Sequence, residues 1–168
     1  MASDDDGGPD VPAESGWRRG RRLGIDLGKA RIGVAVCDPD GILATPVTTV
    51  RRDRKANRDR DPESYGTDVE EIGRIAADLD VVEIVLGRPV TLSGEDGLAV
   101  EHTLLWAEKL ANHLRPVPIV MSDERLTTAL ASRGLHAAGM DTRRQRKVID
   151  QAAAVEILQT WLDRKRKA

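Results

Sequence analysis

The chain has 168 residues and no phenylalanine; its aromatic side chains are Tyr65, Trp17, Trp106 and Trp161. Modules that read single-stranded bases by stacking need clustered aromatics. A base-reading sheet of that kind is excluded, and any bound nucleic acid would be held by its backbone and shape. One cysteine, Cys37, excludes an internal disulfide and a multi-cysteine zinc site. It ends an apolar strand pattern and reads as a small core residue, with a link between two copies as the alternative. No apolar run approaches the roughly 18 residues of a membrane span. The opening Met1-Ala-Ser-Asp-Asp-Asp lacks the basic start and apolar stretch of a secretory signal, so the expected compartment is the cytoplasm. Gly24, Gly28 and Gly33 do not form GxGxxG, and neither a P-loop nor a nucleophilic triad is visible. The histidines, His102, His113 and His136, fall at scattered helical positions and read as structural.

Charge of one sign is missing locally rather than overall. Residues 1–16 carry Asp4, Asp5, Asp6, Asp10 and Glu14 and no Lys or Arg. The whole chain has 26 basic and 28 acidic residues, a net charge of -2. Setting those five acids aside leaves 26 against 23, a balance of +3. The bases then cluster: Arg51, Arg52, Arg54, Lys55, Arg58 and Arg60; Arg143, Arg144, Arg146 and Lys147; and Arg164 to Lys167. Such clusters can follow a phosphate backbone. The plain alternative is a solvated, salt-bridged surface, because Asp53, Asp59 and Asp61 interleave the first cluster.

The pattern of elements predicts one α/β domain. Residues 1–20 read as a disordered acidic N-terminal tail, 21–163 as the folded domain and 164–168 as a basic C-terminal tail. Residues 21–27 and 31–37 alternate as a hairpin, followed by the turn Asp38-Pro-Asp-Gly41. Ile42 to Val50 predicts a third strand, with Pro46 at an edge or bulge. Residues 51–66 read as a charged loop. Thr67-Asp-Val-Glu70 reads as a capping box ahead of a helix carrying Val69, Ile72, Ala76 and Leu79. Strands are predicted at Val81 to Leu86 and Val117 to Met121, with a helix carrying Leu98, Leu105 and Leu114 between them. A helix through Ala138 is broken by Gly139. The last helix spans Arg143 to Arg164, with Val148, Ala152, Val155, Leu158 and Leu162 on one face. Three meandering strands followed by helix-strand alternation imply a mixed sheet with helices on both faces.

Three acidic spots mark the ends of these elements. Asp26 interrupts the apolar first strand; it is paired, protonated or cation-bound, or else it bonds its own turn. Asp123 and Glu124 leave the last strand, where an N-cap is the plain alternative. Asp150 stands in the Ala-rich run Val148-Ile-Asp-Gln-Ala-Ala-Ala-Val155, where the alternative is an exposed helix position. Hard oxygen ligands of this number and kind suit Mg²⁺. Two such ions can activate a water and stabilise a leaving 3′ oxygen.

Gly24-Ile-Asp-Leu-Gly28, Arg31-Ile-Gly-Val-Ala35, Gly87-Arg-Pro89 with Gly94 to Gly97, Asp123-Glu-Arg-Leu-Thr-Thr128 and Ile149-Asp-Gln-Ala-Ala-Ala154 resemble the YqgF/RuvX family of Holliday junction resolvases. The resemblance spans about residues 21 to 163. It implies an RNase H-like fold: a mixed sheet whose first three strands meander, flanked by helices on both faces. It implies a metal-dependent endonuclease with catalytic Asp26, Glu124 and Asp150, with Asp123 as the alternative second ligand, and a two-metal Mg²⁺ or Mn²⁺ site. Lys29, Arg31, Arg88, Arg125, Arg143, Arg144, Arg146 and Lys147 are the candidate nucleic-acid contacts. The implied substrates are branched DNA or, alternatively, the 5′ end of precursor 16S ribosomal RNA, cut by a chain that could be a homodimer. Arg88 and the Lys29-Ala30 turn depart from the commoner family fillings. A non-catalytic nucleic-acid adaptor is a further alternative. An ATPase of the actin type ranks last, because it closes two such domains around its nucleotide.

Overall fold

The computed structural model describes residues 17–88, 97–122 and 142–167. Strands β1 (Arg22–Leu27), β2 (Arg31–Cys37) and β3 (Ala44–Arg51) meander antiparallel. A 3-10 turn at Ala56–Arg58 precedes helix α1 (Thr67–Asp78), strand β4 (Glu83–Gly87), helix α2 (Gly97–Leu114) and strand β5 (Ile119–Ser122). Helix α3 (Thr142–Lys167) closes the described chain. The strand order is β3-β2-β1-β4-β5, with β4 parallel to both β1 and β5. The predicted helix through Ala138 lies outside the described residues.

The two faces of the sheet differ in side-chain size. Leu23, Ile25, Ile32, Val34, Ile84 and Leu86 pack under α1 and α2, against Val69, Ile72, Trp106 and Leu110. The other face offers mainly small residues, among them Ala35, Cys37 and Ala44, to Ala154, Ile157, Leu158 and Leu162 of α3. Each large aliphatic side chain buried here contributes about 1.5–3 kcal/mol. Cys37 is buried, and its Sγ accepts the Arg22 backbone N–H at 3.3 Å, so it is a core residue. Pro46 sits on β3, at the end of the strand order, and the β2–β3 register shifts opposite it between Val34 and Ala35.

Several predicted details are corrected. β3 starts at Ala44 rather than Ile42, because Asp38 Oδ1 accepts the N–H groups of both Ile42 and Leu43 and prolongs the turn. The capping box is not formed. The N-cap of α1 is Gly66, and Asp53 Oδ2 accepts the Thr67 N–H at 3.0 Å from 14 residues away. Residues 17–20 are not tail: Trp17 lies 3.9 Å from the Arg22 guanidinium, and Gly20 N–H donates to Pro39 O. The basic residues 164–167 continue α3, where cations favour a helix C-terminus.

Candidate active site

Helix α3 makes a close backbone approach to the sheet beside Asp26. Gly33 pairs with Asp26 across the β1–β2 ladder. A Cβ on Gly33 would fall 1.8 Å from the Asp150 carbonyl oxygen, and one on Gly24 would fall 2.6 Å from Leu158 Cβ. Only residues without side chains at these places let the helix backbone settle onto the strands. The buried stripe of α3 runs through Ala154, Ile157, Leu158 and Leu162; the half-buried Val148, Ala152 and Val155 flank it. It is therefore rotated from the predicted face. Asp150, Ala154 and Leu158 stand four residues apart, so Asp150 extends the row that meets the sheet. Gln151 Nε2 donates to Thr49 Oγ1, which itself donates to Lys147 O, and together they pin this end of α3 to β3.

Asp26 and Asp150 thus share one side of the sheet. Burial, and next the negative charge of Asp150, push the Asp26 carboxyl up to about 6. Asp150 is 17% exposed, not an outward helix position, and its Oδ2 accepts a hydrogen bond from Arg31 Nε at 2.8 Å. Arg31, a candidate nucleic-acid contact, therefore spends this donor inside the site. Among the described residues no group of three His, Cys, Asp or Glu side chains gathers. Asp123, Glu124 and Arg125 lie outside the described residues, as do the side chains of Arg143 and Arg146; Arg144 and Lys147 are exposed on α3. The last described residue of β5, Ser122, is in register with Gly87. Leu86, the residue before Gly87, pairs with Ile25. The parallel strands therefore end on the edge that carries Asp26.

A cleft of about 1250 Å³ opens over this edge. Asp26, Lys29, Arg88 and the loop arginines Arg54, Arg58 and Arg60 line it. It exceeds the roughly 300–1,000 Å³ of a typical small-molecule pocket. His102 is exposed on its α2 side rather than structural.

Two supporting residues were missed in the sequence. Asp68, buried, accepts from Asp53 N–H (3.1 Å), Asn57 Nδ2 (2.9 Å) and Trp106 Nε1 (3.3 Å), and lies 3.6 Å from Arg52 Nε. Lys109, buried on α2, donates from Nζ to Ala56 O at 3.2 Å and Asp59 O at 2.5 Å. Both hold the 52–60 loop. Their partners are 11 to 53 positions away in sequence, and no local pattern marks them.

Residues 20–164 match the family model described as RuvX: Holliday junction resolvase. A protein of Mycobacterium sp. (strain KMS) is 48% identical over 160 residues, covering 95% of this chain and 89% of its own. One of Rhodococcus opacus (strain B4) is 48% identical over 161 residues, covering 96% and 87%. One of Mycobacterium leprae (strain TN) is 50% identical over 161 residues, covering 96% and 82%. All three are provisionally named pre-16S rRNA nuclease. The fold is similar to that of T. thermophilus RuvC solved in complex with a Holliday junction substrate, with a TM-score of 0.51 at 12% identity, covering 87% of this chain and 95% of that one. The expected RNase H-like sheet, with its first three strands meandering and helices on both faces, is the fold observed. The chain belongs to the RuvX family.

Proposed function

We propose that this chain is a divalent-metal-dependent nuclease that hydrolyses phosphodiester bonds at the edge formed by the ends of β1, β4 and β5 and the start of α3. The observation that carries this is Asp26 on the wall of an arginine-lined cleft, with Asp150 brought from a distant stretch to the same side of the sheet. The pair fits Mg²⁺ or Mn²⁺. Both side chains are hard oxygen donors, and a cation offsets the burial and the repulsion that raise Asp26. Asp26 and Asp150 would hold the metal with Glu124 or Asp123, which follow Ser122 in sequence. Bound ions of this kind supply an activated water and stabilise the leaving 3′ oxygen. The protein's own part is orientation. Arg31 fixes one oxygen of Asp150, and the Gln151–Thr49 contact holds the helix turn that carries it. The basic cleft wall offsets the charge of an approaching backbone.

The substrate read first is a four-way DNA junction, which the family description names. The names of the relatives favour a second, precursor 16S ribosomal RNA. Symmetric junction cutting needs two sites related by a two-fold axis, so that reading carries a homodimer with it. The test offers a labelled junction and a precursor ribosomal RNA to one preparation, with Mg²⁺, with Mn²⁺ and with chelator. Metal-dependent cleavage of either supports the proposal; intact substrates under every condition contradict it.

A further inference from the structure

Arg54, Arg58 and Arg60 are exposed along the wall of the cleft that contains Asp26. Their interleaved acids would be expected to neutralise them. The fold turns those acids elsewhere. Asp53 accepts from the N–H groups of Ala56 and Thr67, both at 3.0 Å. Asp59 Oδ1 accepts from Asp61 N–H, and Asp61 Oδ1 from Glu63 N–H, again at 3.0 Å. Backbone donors hold the Asp53 and Asp59 carboxyls below the usual range. Among the described residues, Arg54, Arg58 and Arg60 make no ion pair.

The wall is also built rather than loose. Asp68 and Lys109 are charged groups taken out of water, and each directs two hydrogen bonds to this loop. Burying such groups is costly unless their bonds are used. Here they fix a short arginine-bearing segment beside the carboxylate pair. A solvated charge run needs no such anchoring.

We propose that Arg54, Arg58 and Arg60 form a preset track for the sugar-phosphate backbone of a nucleic acid, leading the strand toward Asp26. The direction of travel rests on the nuclease reading above; the phosphate contacts stand without it. The volume of the cleft exceeds what a single small ligand fills and leaves room for a polymer. DNA and RNA share the chemistry recognised, so the test has two arms.

Binding of the full chain to a labelled four-way junction and to a precursor 16S RNA would be measured by anisotropy in chelator, across a salt series. Arg54, Arg58 and Arg60 would be changed together to Gln, with Arg74→Gln on α1 as a matched control. The triple variant should melt with the wild type, lose at least about tenfold in affinity near 0.1 M salt, and lose roughly 2 to 3 from the slope of log K against log salt. Arg74→Gln should keep the wild-type slope. The arm that loses more identifies the source of the phosphates. If the triple variant melts early, Arg58→Gln alone should still lose about 0.7 to 0.9 from the slope. An unchanged slope in a folded variant overturns the track. It leaves the nuclease reading intact, since that is judged by cleavage. A wild-type chain that binds neither ligand contradicts both.

Discussion

Gly33 and Asp150 make backbone contact: a Cβ on Gly33 would fall 1.8 Å from the Asp150 carbonyl oxygen. Because Gly33 is also the ladder partner of Asp26, this contact sets how near the two carboxylates come. Gly33→Ala cannot be relieved by a side-chain rotation, because the obstacle is backbone. It should cost about 1–3 kcal/mol or more and displace the start of α3. Urea unfolding would measure the cost. The Asp26 carboxyl, followed by carbon-detected NMR titration, should move back toward 3.8 as Asp150 recedes.

The same titration tests the electrostatics of the pair. Asp26 is raised from 3.8 to about 6, first by burial and then by Asp150. A raised acid contributes stability that is fully present below pH 3.8 and is lost as pH climbs through about 6. The loss amounts to about 3 kcal/mol at most, since Asp26 keeps some solvent access. Wild-type stability should therefore fall between pH 4 and 7 by up to that amount, and Asp26→Asn should flatten the fall. Asp150→Asn should lower the Asp26 value without returning it to 3.8, because burial remains. A wild-type Asp26 titrating near 3.8 would contradict the placement of the pair.

Asp68 supports the cleft wall from beneath. Removing it takes away the ion-pair partner of Arg52, whose buried Nε makes no hydrogen bond. Asp68→Ala should destabilise by about 3–5 kcal/mol, as for one half of a buried charge pair. It should also raise the proteolytic sensitivity of residues 52–60 under native conditions. A loss below 1 kcal/mol with an unchanged cleavage pattern would show that the loop holds itself.

The strand meander was legible because alternation and turn residues act locally. Arg22–Leu27 and Arg31–Cys37 fall within a residue of their predicted bounds. Asp26 and Asp150 were legible as charges out of place in apolar company. What stayed hidden depends on distant partners. The capping box at Thr67 to Glu70 was a sound local motif, but Asp53 reached the helix end first, and Asp68 was drawn into the core by Arg52, Asn57 and Trp106. In the sequence, Gly24 and Gly33 showed only that they do not belong to a GxGxxG motif. Their use is close packing against a helix more than a hundred residues away. The interleaved charges at 53–61 left phosphate binding and a salt-bridged surface both open, because sequence shows which charges are neighbours and not which backbone amides they face.

Whether Asp26 serves the reaction or the fold is tested by one preparation of Asp26→Asn. Asn keeps the size of Asp and removes the charge a divalent ion requires. Metal-dependent cleavage of the junction or the RNA should fall by more than about a hundredfold, beyond the tenfold to hundredfold losses seen when only the surroundings of a metal ligand change. Binding in chelator should persist, because backbone affinity comes from the basic residues. Melting temperature at pH 8 should hold or rise. A folded Asp26→Asn that cleaves at the wild-type rate would contradict the assignment of the site.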